Sequence, residues 1–249
     1  MMKILLSNDD GVLAEGLSCM YKHLSQKYDV TVIAPDRNCS GMSNALSLHS
    51  PLRLTKMENG FYAVNGTPSD CVQLGVNSGF FDEPDLVVSG INHGPNLGDD
   101  TIYSGTVAAA LEGRHCGHPA LAVSICSKQN QYFDTAAMLT VEIIDKMREL
   151  PLDSSQILNI NVPNIPFEDI QGIQVTRCGK RHRAETMVID KDPFGNQIFW
   201  YGKLGKELDA GEGTDFDAVL NGYCSVSPIF TDMTVHQQVD KLKEWFKSH

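Results

Sequence analysis

The first two-thirds of the chain alternates short apolar runs with amphipathic stretches, and this rhythm limits the fold more than any other feature. "KILLS" reads as a buried strand, and "GLSCMYKHLSQK" follows with Leu17, Met20, Tyr21 and Leu24 at helical spacing. "DVTVIAP" is the next strand. Asn59-Gly60 sits between two strand-like runs, which signals a hairpin. In "TPSD", Thr67 is placed as an N-cap with Pro68 at the first helical position. "PDLVVSG", "PALAVSIC" and "ILNINVP" are further strands. "FDTAAMLTVEIIDKMREL" is a helix with Ala137, Val141, Ile144 and Arg148 in one line. Alternation of this kind predicts an α/β fold: a Rossmann-like, three-layer, largely parallel sheet with helices on both faces.

After Pro163 the rhythm changes. "IQVTRCGKRHRAE" and "NQIFWYGK" read as a long hairpin arm. An acidic, Gly-rich loop, the strand "YCSVSPI" and a closing helix follow. We expect a single domain over 1–249, with a core over about 1–163 and a C-terminal elaboration over about 164–249. The basic run "GKRHRAE" reads first as a solvated hairpin, with attraction of anionic substrates or of an acidic neighbouring subunit as the alternatives. In the closing helix, Val235, Val239, Leu242 and Phe246, with Trp245 beside them, form an apolar stripe for core or interface packing.

Composition excludes several classes. The formal net charge of −11 over 249 residues repels phosphate backbones, so polymeric nucleic acid is not an expected partner. Seven scattered cysteines with no CxxC pair suit a reducing cytoplasm. No secretory signal opens the sequence and no apolar run has the length of a membrane span, so a cytoplasmic location is expected.

In a parallel sheet, ligands bind beyond the carboxyl ends of the strands. The loops there are "SNDDG", "APDRNCSG" and "INHGPNLGDDTIYSGTVAAALEG". Asp9 and Asp10 end a buried strand side by side, a repulsive arrangement unless a cation lies between them. A turn at Gly11 lets both carboxylates approach one point. They suit a hard divalent ion, Mg²⁺ or Mn²⁺, with Ser40 and Asn92 as neutral partners from neighbouring loops. For an isolated Asp pair, a helix cap with a solvated charge is the simpler account; the buried strand before this pair favours a metal. Ser104-Gly105-Thr106 opens a run of strong helix formers, where free N–H groups offer a phosphate site. Simple N-capping explains those three residues equally well in isolation. Metal and anion sites together describe hydrolysis or transfer of a phosphoryl group. No P-loop, GxGxxG after the first strand, DxDx nucleophile pattern or GxSxG elbow is present. His93 lies in the third loop, where a spectator role is the simpler reading.

"ILLSNDDGVLAEGL", "VIAPDRNCSGMSNALSL", "VNGTPSDCVQLG" and "PDLVVSGINHGPNLGDDTIYSGTVAAALEG" resemble the SurE family of stationary-phase survival proteins. So does "GTDFDAVLNGYCSVSPI" with "TDMT", and the likeness covers nearly the whole chain in order. The resemblance implies a metal-dependent nucleotidase acting on nucleoside 5′- and 3′-monophosphates, some members also acting on short polyphosphate. It implies one divalent metal per subunit on Asp9, Asp10, Ser40 and Asn92, and phosphate on Asn96, Ser104, Gly105 and Thr106. Asp9 and Asp10 carry the catalytic assignment, and the sequence leaves open whether Asp10 also serves as a base. The resemblance further implies a homodimer or homotetramer built by exchange of a C-terminal arm. We expect the hinge at Pro228–Thr234, because Pro228 interrupts the strand before it and Asp232 or Thr234 can cap the closing helix. A non-catalytic nucleotide or phosphate sensor and a phosphotransferase are the competing readings.

Overall fold

A computed structural model describes residues 1–129, 131–147 and 152–248. Among these residues the strands are β1 (Lys3–Ser7), β2 (Asp29–Pro35), β3 (Leu54–Lys56), β4 (Tyr62–Val64), β5 (Leu86–His93), β6 (Ala120–Ile125), β7 (Gln156–Val162), β8 (Ile173–Val175), β9 (Lys180–Arg181), β10 (Val188–Lys191), β11 (Gln197–Trp200), β12 (Glu207–Asp209) and β13 (Cys224–Phe230). The helices are α1 (Glu15–Leu24), α2 (Pro68–Asn77), α3 (Gly105–Glu112), α4 (Phe133–Met147), α5 (Asp215–Leu220) and α6 (His236–Ser248).

Nine strands make one sheet in the order β3-β4-β2-β1-β5-β6-β7-β13-β8. From β4 to β7 every pairing is parallel. The hairpin at Asn59-Gly60 turns β3 antiparallel to β4, and β13 returns antiparallel to β7. The fold is therefore α/β with a largely parallel sheet. The chain moves from β1 to β2 on one side, then to β5 on the other. That reversal opens a crevice at the carboxyl end of β1, where ligands bind in open α/β sheets.

Period-two alternation splits the strands between two cores. Ile4, Leu6, Val88, Val123 and Ile160 face α1 and α4. Leu5, Ile33, Val87, Ala122 and Ile157 face α2 and α3. On α1, Leu17, Met20 and Leu24 are buried as the spacing predicts, while Tyr21 packs edge-on against Phe61. On α4 the buried face is Ala136, Ala137, Thr140, Ile143, Ile144 and Met147. Arg148, expected at the end of that line, lies outside the described residues. Thr67 and Asp70 form a complete capping box on α2, with Pro68 in the first turn.

The C-terminal third departs from expectation in three places. "IQV" is not part of the arm: it is β8, the parallel neighbour of β13 at the edge of the main sheet. The arm is two stacked ladders, β9 with β12 and then β10 with β11. Pro228 does not interrupt β13, which continues to Phe230. The β8 pairing ends at Val226, so Pro228 sits beyond it on an open edge, where a missing N–H is tolerated. Along α6 the apolar stripe is left uncovered by its own chain, with Phe246 at 72% exposure.

Candidate functional site

β1 stays buried through Asn8 and Asp9, then turns. Gly11 donates its amide to Asn8 Oδ1 at 3.2 Å, and Asn8 Nδ2 donates back to the Gly11 carbonyl at 3.0 Å. Gly11 adopts φ +105°, and a Cβ there would lie 3.1 Å from the Arg37 carbonyl. The β2 loop is sewn to this turn: the Cys39 amide donates to the Asp9 carbonyl at 2.7 Å, and Val12 donates to Pro35 at 2.8 Å. The first two candidate loops thus meet.

Asp9 is only 3% exposed. Its Oδ1 accepts from the Thr106 hydroxyl at 2.6 Å. Gly105 lies directly against it, since a Cβ on Gly105 would fall 2.8 Å from Asp9 Cβ. Burial pushes the Asp9 carboxyl up to about 6; the Thr106 hydroxyl opposes this and the neighbouring Asp10 charge adds to it. Asp10 is less buried: its Oδ2 accepts from the His93 amide at 3.0 Å, and Asn38 Nδ2 approaches Oδ1 at 3.4 Å. Among the described residues, no Lys, Arg or His pairs with either carboxylate.

Asn92, next to His93, donates its Nδ2 to the Gly94 carbonyl at 2.8 Å. Its Oδ1 receives no hydrogen bond among the described residues, which leaves the ligand-type atom free. Ser40 is exposed, and its amide donates at 2.9 Å to Oδ1 of Asn38, the residue that approaches Asp10. A buried, uncompensated carboxylate beside a second one, with amide and hydroxyl oxygens on adjoining loops, fits a hard divalent cation. Asp10, Arg37, Asn38 and His93 line an open cleft of about 370 Å³ beside the pair.

Asn96 is fastened from several directions. Its amide donates to Asn161 Oδ1 at 2.8 Å, its carbonyl accepts from Asn159 and Asn161, and its Nδ2 donates to Ser124 Oγ at 2.8 Å. One side-chain N–H remains for a ligand. Ser104 caps α3, accepting from the Val107 amide at 3.1 Å, and its own hydroxyl proton is free to turn outward. Thr106 is fully buried, and its hydroxyl is committed to Asp9.

Sequence reasoning missed the supports. Ser124, Asn159 and Asn161 end β6 and β7 beneath Asn96. Two Asn at i, i+2 in the buried strand "ILNINVP" were the available signal. Asp215, wholly buried, accepts from the amides of Gly98 at 2.6 Å and Gly179 at 2.8 Å, tying the loop before α3 to the base of the arm. The His93 ring is engaged on the side of α1 and α4: its Nε2 accepts from the Gly16 amide at 3.3 Å and it packs against Phe133 at a 40° tilt.

The family model described as "Survival protein SurE" matches residues 4–185. The chain belongs to the SurE family. A SurE relative from Pseudoalteromonas atlantica, named 5′-nucleotidase SurE, is 59% identical over 244 residues, covering 98% of each chain. Another of the same name from Idiomarina loihiensis is 54% identical over 247 residues, covering 99% of each. The solved SurE protein from Aquifex aeolicus superposes with a TM-score of 0.85 at 41% identity, covering 98% of this chain and 99% of that one. This SurE chain therefore shares its fold over nearly its full length with a crystallised member.

Proposed function

We infer that this chain is a 5′-nucleotidase, a phosphomonoesterase that hydrolyses nucleoside monophosphates to nucleoside and phosphate. Near full-length identity to two proteins of that name supports the activity. The observation that carries the site is the contact between Thr106 and Asp9, which joins the carboxylate pair to the first turn of α3. A phosphoryl group cannot rest there unaided. Each like-charge pair at ~4 Å costs about 4 kcal/mol at an effective dielectric constant of ~20. That cost disfavours a bare phosphate sensor and supports a metalloenzyme with Asp9, Asp10, Ser40 and Asn92 holding one Mg²⁺ or Mn²⁺ per subunit. When bound, such an ion supplies charge neutralisation, Lewis acidity toward a phosphoryl oxygen and a more acidic water.

The chain's own residues do the rest. Thr106 fixes Asp9 in one rotamer, and the His93 amide fixes Asp10. Asp10, at the cleft, is the carboxylate placed to accept a proton from the attacking water, while Asp9 is too enclosed. The Gly105 amide has no acceptor within α3, so it can bind a phosphoryl oxygen together with the Ser104 hydroxyl and the spare Asn96 N–H. These donors serve charge that grows in the transition state.

The finer reading extends to nucleoside 3′-monophosphates and short polyphosphate, in a homodimer or homotetramer assembled through the C-terminal arm. The domain spans 1–249, with the elaboration beginning near 164. Seven free cysteines support a cytoplasmic setting. No helix among the described residues is long and apolar enough to cross a membrane. Phosphate release from AMP and 3′-AMP, with Mg²⁺, with Mn²⁺ and with EDTA, tests the proposal. Release that needs a metal is expected. Binding of AMP without release under any of these conditions would leave the sensor instead, and release undiminished by EDTA would remove the metal.

A further inference from the structure

A second cluster of metal-ligating side chains lies on the α1–α4 face, on residues given no role above. Cys19 and His23 stand one turn apart on α1, and Asp134 faces them from the first turn of α4. Their ligand atoms, Sγ, Nε2 and a carboxylate oxygen, all lie within 4.8 Å of one another. His23 Nε2 and Asp134 Oδ1 are 2.7 Å apart. The ring of His23 is mostly enclosed, whereas Asp134 stays open to solvent on one side. We propose that Cys19, His23 and Asp134 form a binding site for a borderline-soft divalent cation of the Zn²⁺ class, distinct from the hard-oxygen site at Asp9 and Asp10.

Three considerations carry this. The first is ligand type. Thiolate, imidazole and carboxylate together select Zn²⁺ or Co²⁺ over Mg²⁺, which prefers oxygen alone. The second is geometry. Zinc takes sulfur at about 2.3 Å and nitrogen or oxygen at about 2.0–2.2 Å, so tetrahedral ligand atoms lie roughly 3.5 Å apart. Shifts of about an ångström in side chains at the helix surface bring this set to that spacing. Two ligands at i, i+4 and a third on a packed neighbouring helix supply the face, and water completes the fourth position.

The third is charge arrangement, which argues against a nucleophilic Cys–His–Asp triad. Such a triad places histidine between acid and thiol. Here Asp134 Oδ1 accepts from His23 Nε2 at 2.7 Å, so the imidazole is turned to the carboxylate and does not serve the thiol, whose sulfur lies within 4.8 Å of both. Burial, with Asp134 adding, pushes the Cys19 thiol up to about 12, away from a reactive thiolate. A bound cation reverses that: the Cys19 proton leaves to solvent and the thiolate becomes a ligand. Cys19 and Asp134 then bring two negative charges to the ion. Lys22, 3.6 Å from Asp134 Oδ1, is the opposing lysine at the cluster among the described residues, and its side chain is largely exposed.

Cobalt titration of the purified full chain tests the site. Thiolate coordination gives a sulfur-to-cobalt charge-transfer band in the near ultraviolet, which an all-oxygen site cannot produce. The band is expected in the parent protein, displaced by Zn²⁺ but not by Mg²⁺. It should vanish in Cys19→Ser and persist in Asp9→Asn. His23→Ala should weaken cobalt binding by about tenfold or more, since even outer-shell partners are worth that much. Slowed alkylation of Cys19 in the presence of Zn²⁺, located by peptide mass spectrometry, is a second readout that needs no variant. No charge-transfer band, a band that survives Cys19→Ser, or Cys19 alkylation unaffected by Zn²⁺ would overturn the proposal and leave the cluster as a hydrogen-bonded clasp between two helices.

Discussion

At the scale of single residues, Asp9 holds most of the free energy at stake. Adjacent charges in "NDDG" announced a repulsive pair, but the structure ranks burial ahead of repulsion as the cause of strain. The difference was not legible, because it depends on α3 arriving from nearly a hundred residues away to cover Asp9. A rise from the ordinary 3.8 to about 6 corresponds to about 3 kcal/mol against the ionised, metal-free fold. The folded state holds its proton more tightly than the unfolded chain. The penalty is therefore absent below pH ~4, grows as pH rises, and is complete above pH ~6. Asp9→Asn should raise the melting temperature in EDTA at neutral pH, lose that advantage near pH 4, and reduce turnover by orders of magnitude. Differential scanning fluorimetry across pH, beside a phosphate-release assay, checks both halves. Gly105 makes a sharper steric case. A methyl group 2.8 Å from Asp9 Cβ must displace the carboxylate or α3, so Gly105→Ala should cut kcat strongly while the far-UV circular dichroism stays unchanged.

At the scale of elements, the sequence was most readable where chemistry is local. The Thr67 cap and Pro68 at the start of α2 were visible in four letters, and the structure adds Asp70, which completes a capping box. Burial pushes Asp70 up, but hydrogen bonds from Ser47 and Thr67 more than offset this and hold it below its ordinary value. Its stabilisation is present above pH ~4 and is lost as pH falls through the depressed value. Asp70→Ala should cost about 1 kcal/mol in urea unfolding at pH 7, and less at pH 3. Long-range pairing was the unreadable part. "GKRHRAE" looked like a solvated run, yet Arg181 is the hub of the arm's base. Its Nε donates to Asp100 at 2.6 Å, a terminal nitrogen donates to Glu207 at 2.9 Å, and its guanidinium lies over Phe216. Its backbone amide also donates to Asp99. Nothing near Arg181 in sequence names those partners, which come from the turn before α3, from β12 and from α5. Arg181→Ala frees the Gly98–Tyr103 turn that leads into Ser104. A several-fold rise in KM with a smaller change in kcat is the expected kinetic signature, and an unchanged KM would detach the arm from the site.

At the scale of the whole molecule, the core obeyed the βαβ rhythm and the C-terminal third did not: β13 and α5 bury Phe216, Cys224 and Val226, whereas α6 and the β10–β11 hairpin leave their apolar residues uncovered. The α6 stripe leaves Val235 at 64%, Leu242 at 54%, Trp245 at 52% and Phe246 at 72% exposure. The hairpin of β10 and β11 leaves Ile189, Phe199, Trp200 and Tyr201 more than half exposed. Full burial of a large apolar side chain is worth about 1.5–3 kcal/mol, so covering the α6 stripe alone would contribute several kcal/mol. That is a sizeable fraction of the ~5–15 kcal/mol that holds a typical domain together. A chain with net charge −11 repels its copies at long range, so only such short-range burial can hold them. Exchange of the segment after β13 between subunits is a low-cost way to supply it. Deleting the residues after Thr231 should then convert a micromolar dimer or tetramer into monomers or aggregates with weakened activity, measured by sedimentation velocity and phosphate release. The candidate metal and phosphate loops lie after β1, β2 and β5 and at the start of α3, so they remain encoded in the truncated chain. A native protein that sediments as a monomer would show that α6 does not serve assembly, and a truncation that stays oligomeric and fully active would show that it serves neither assembly nor the site.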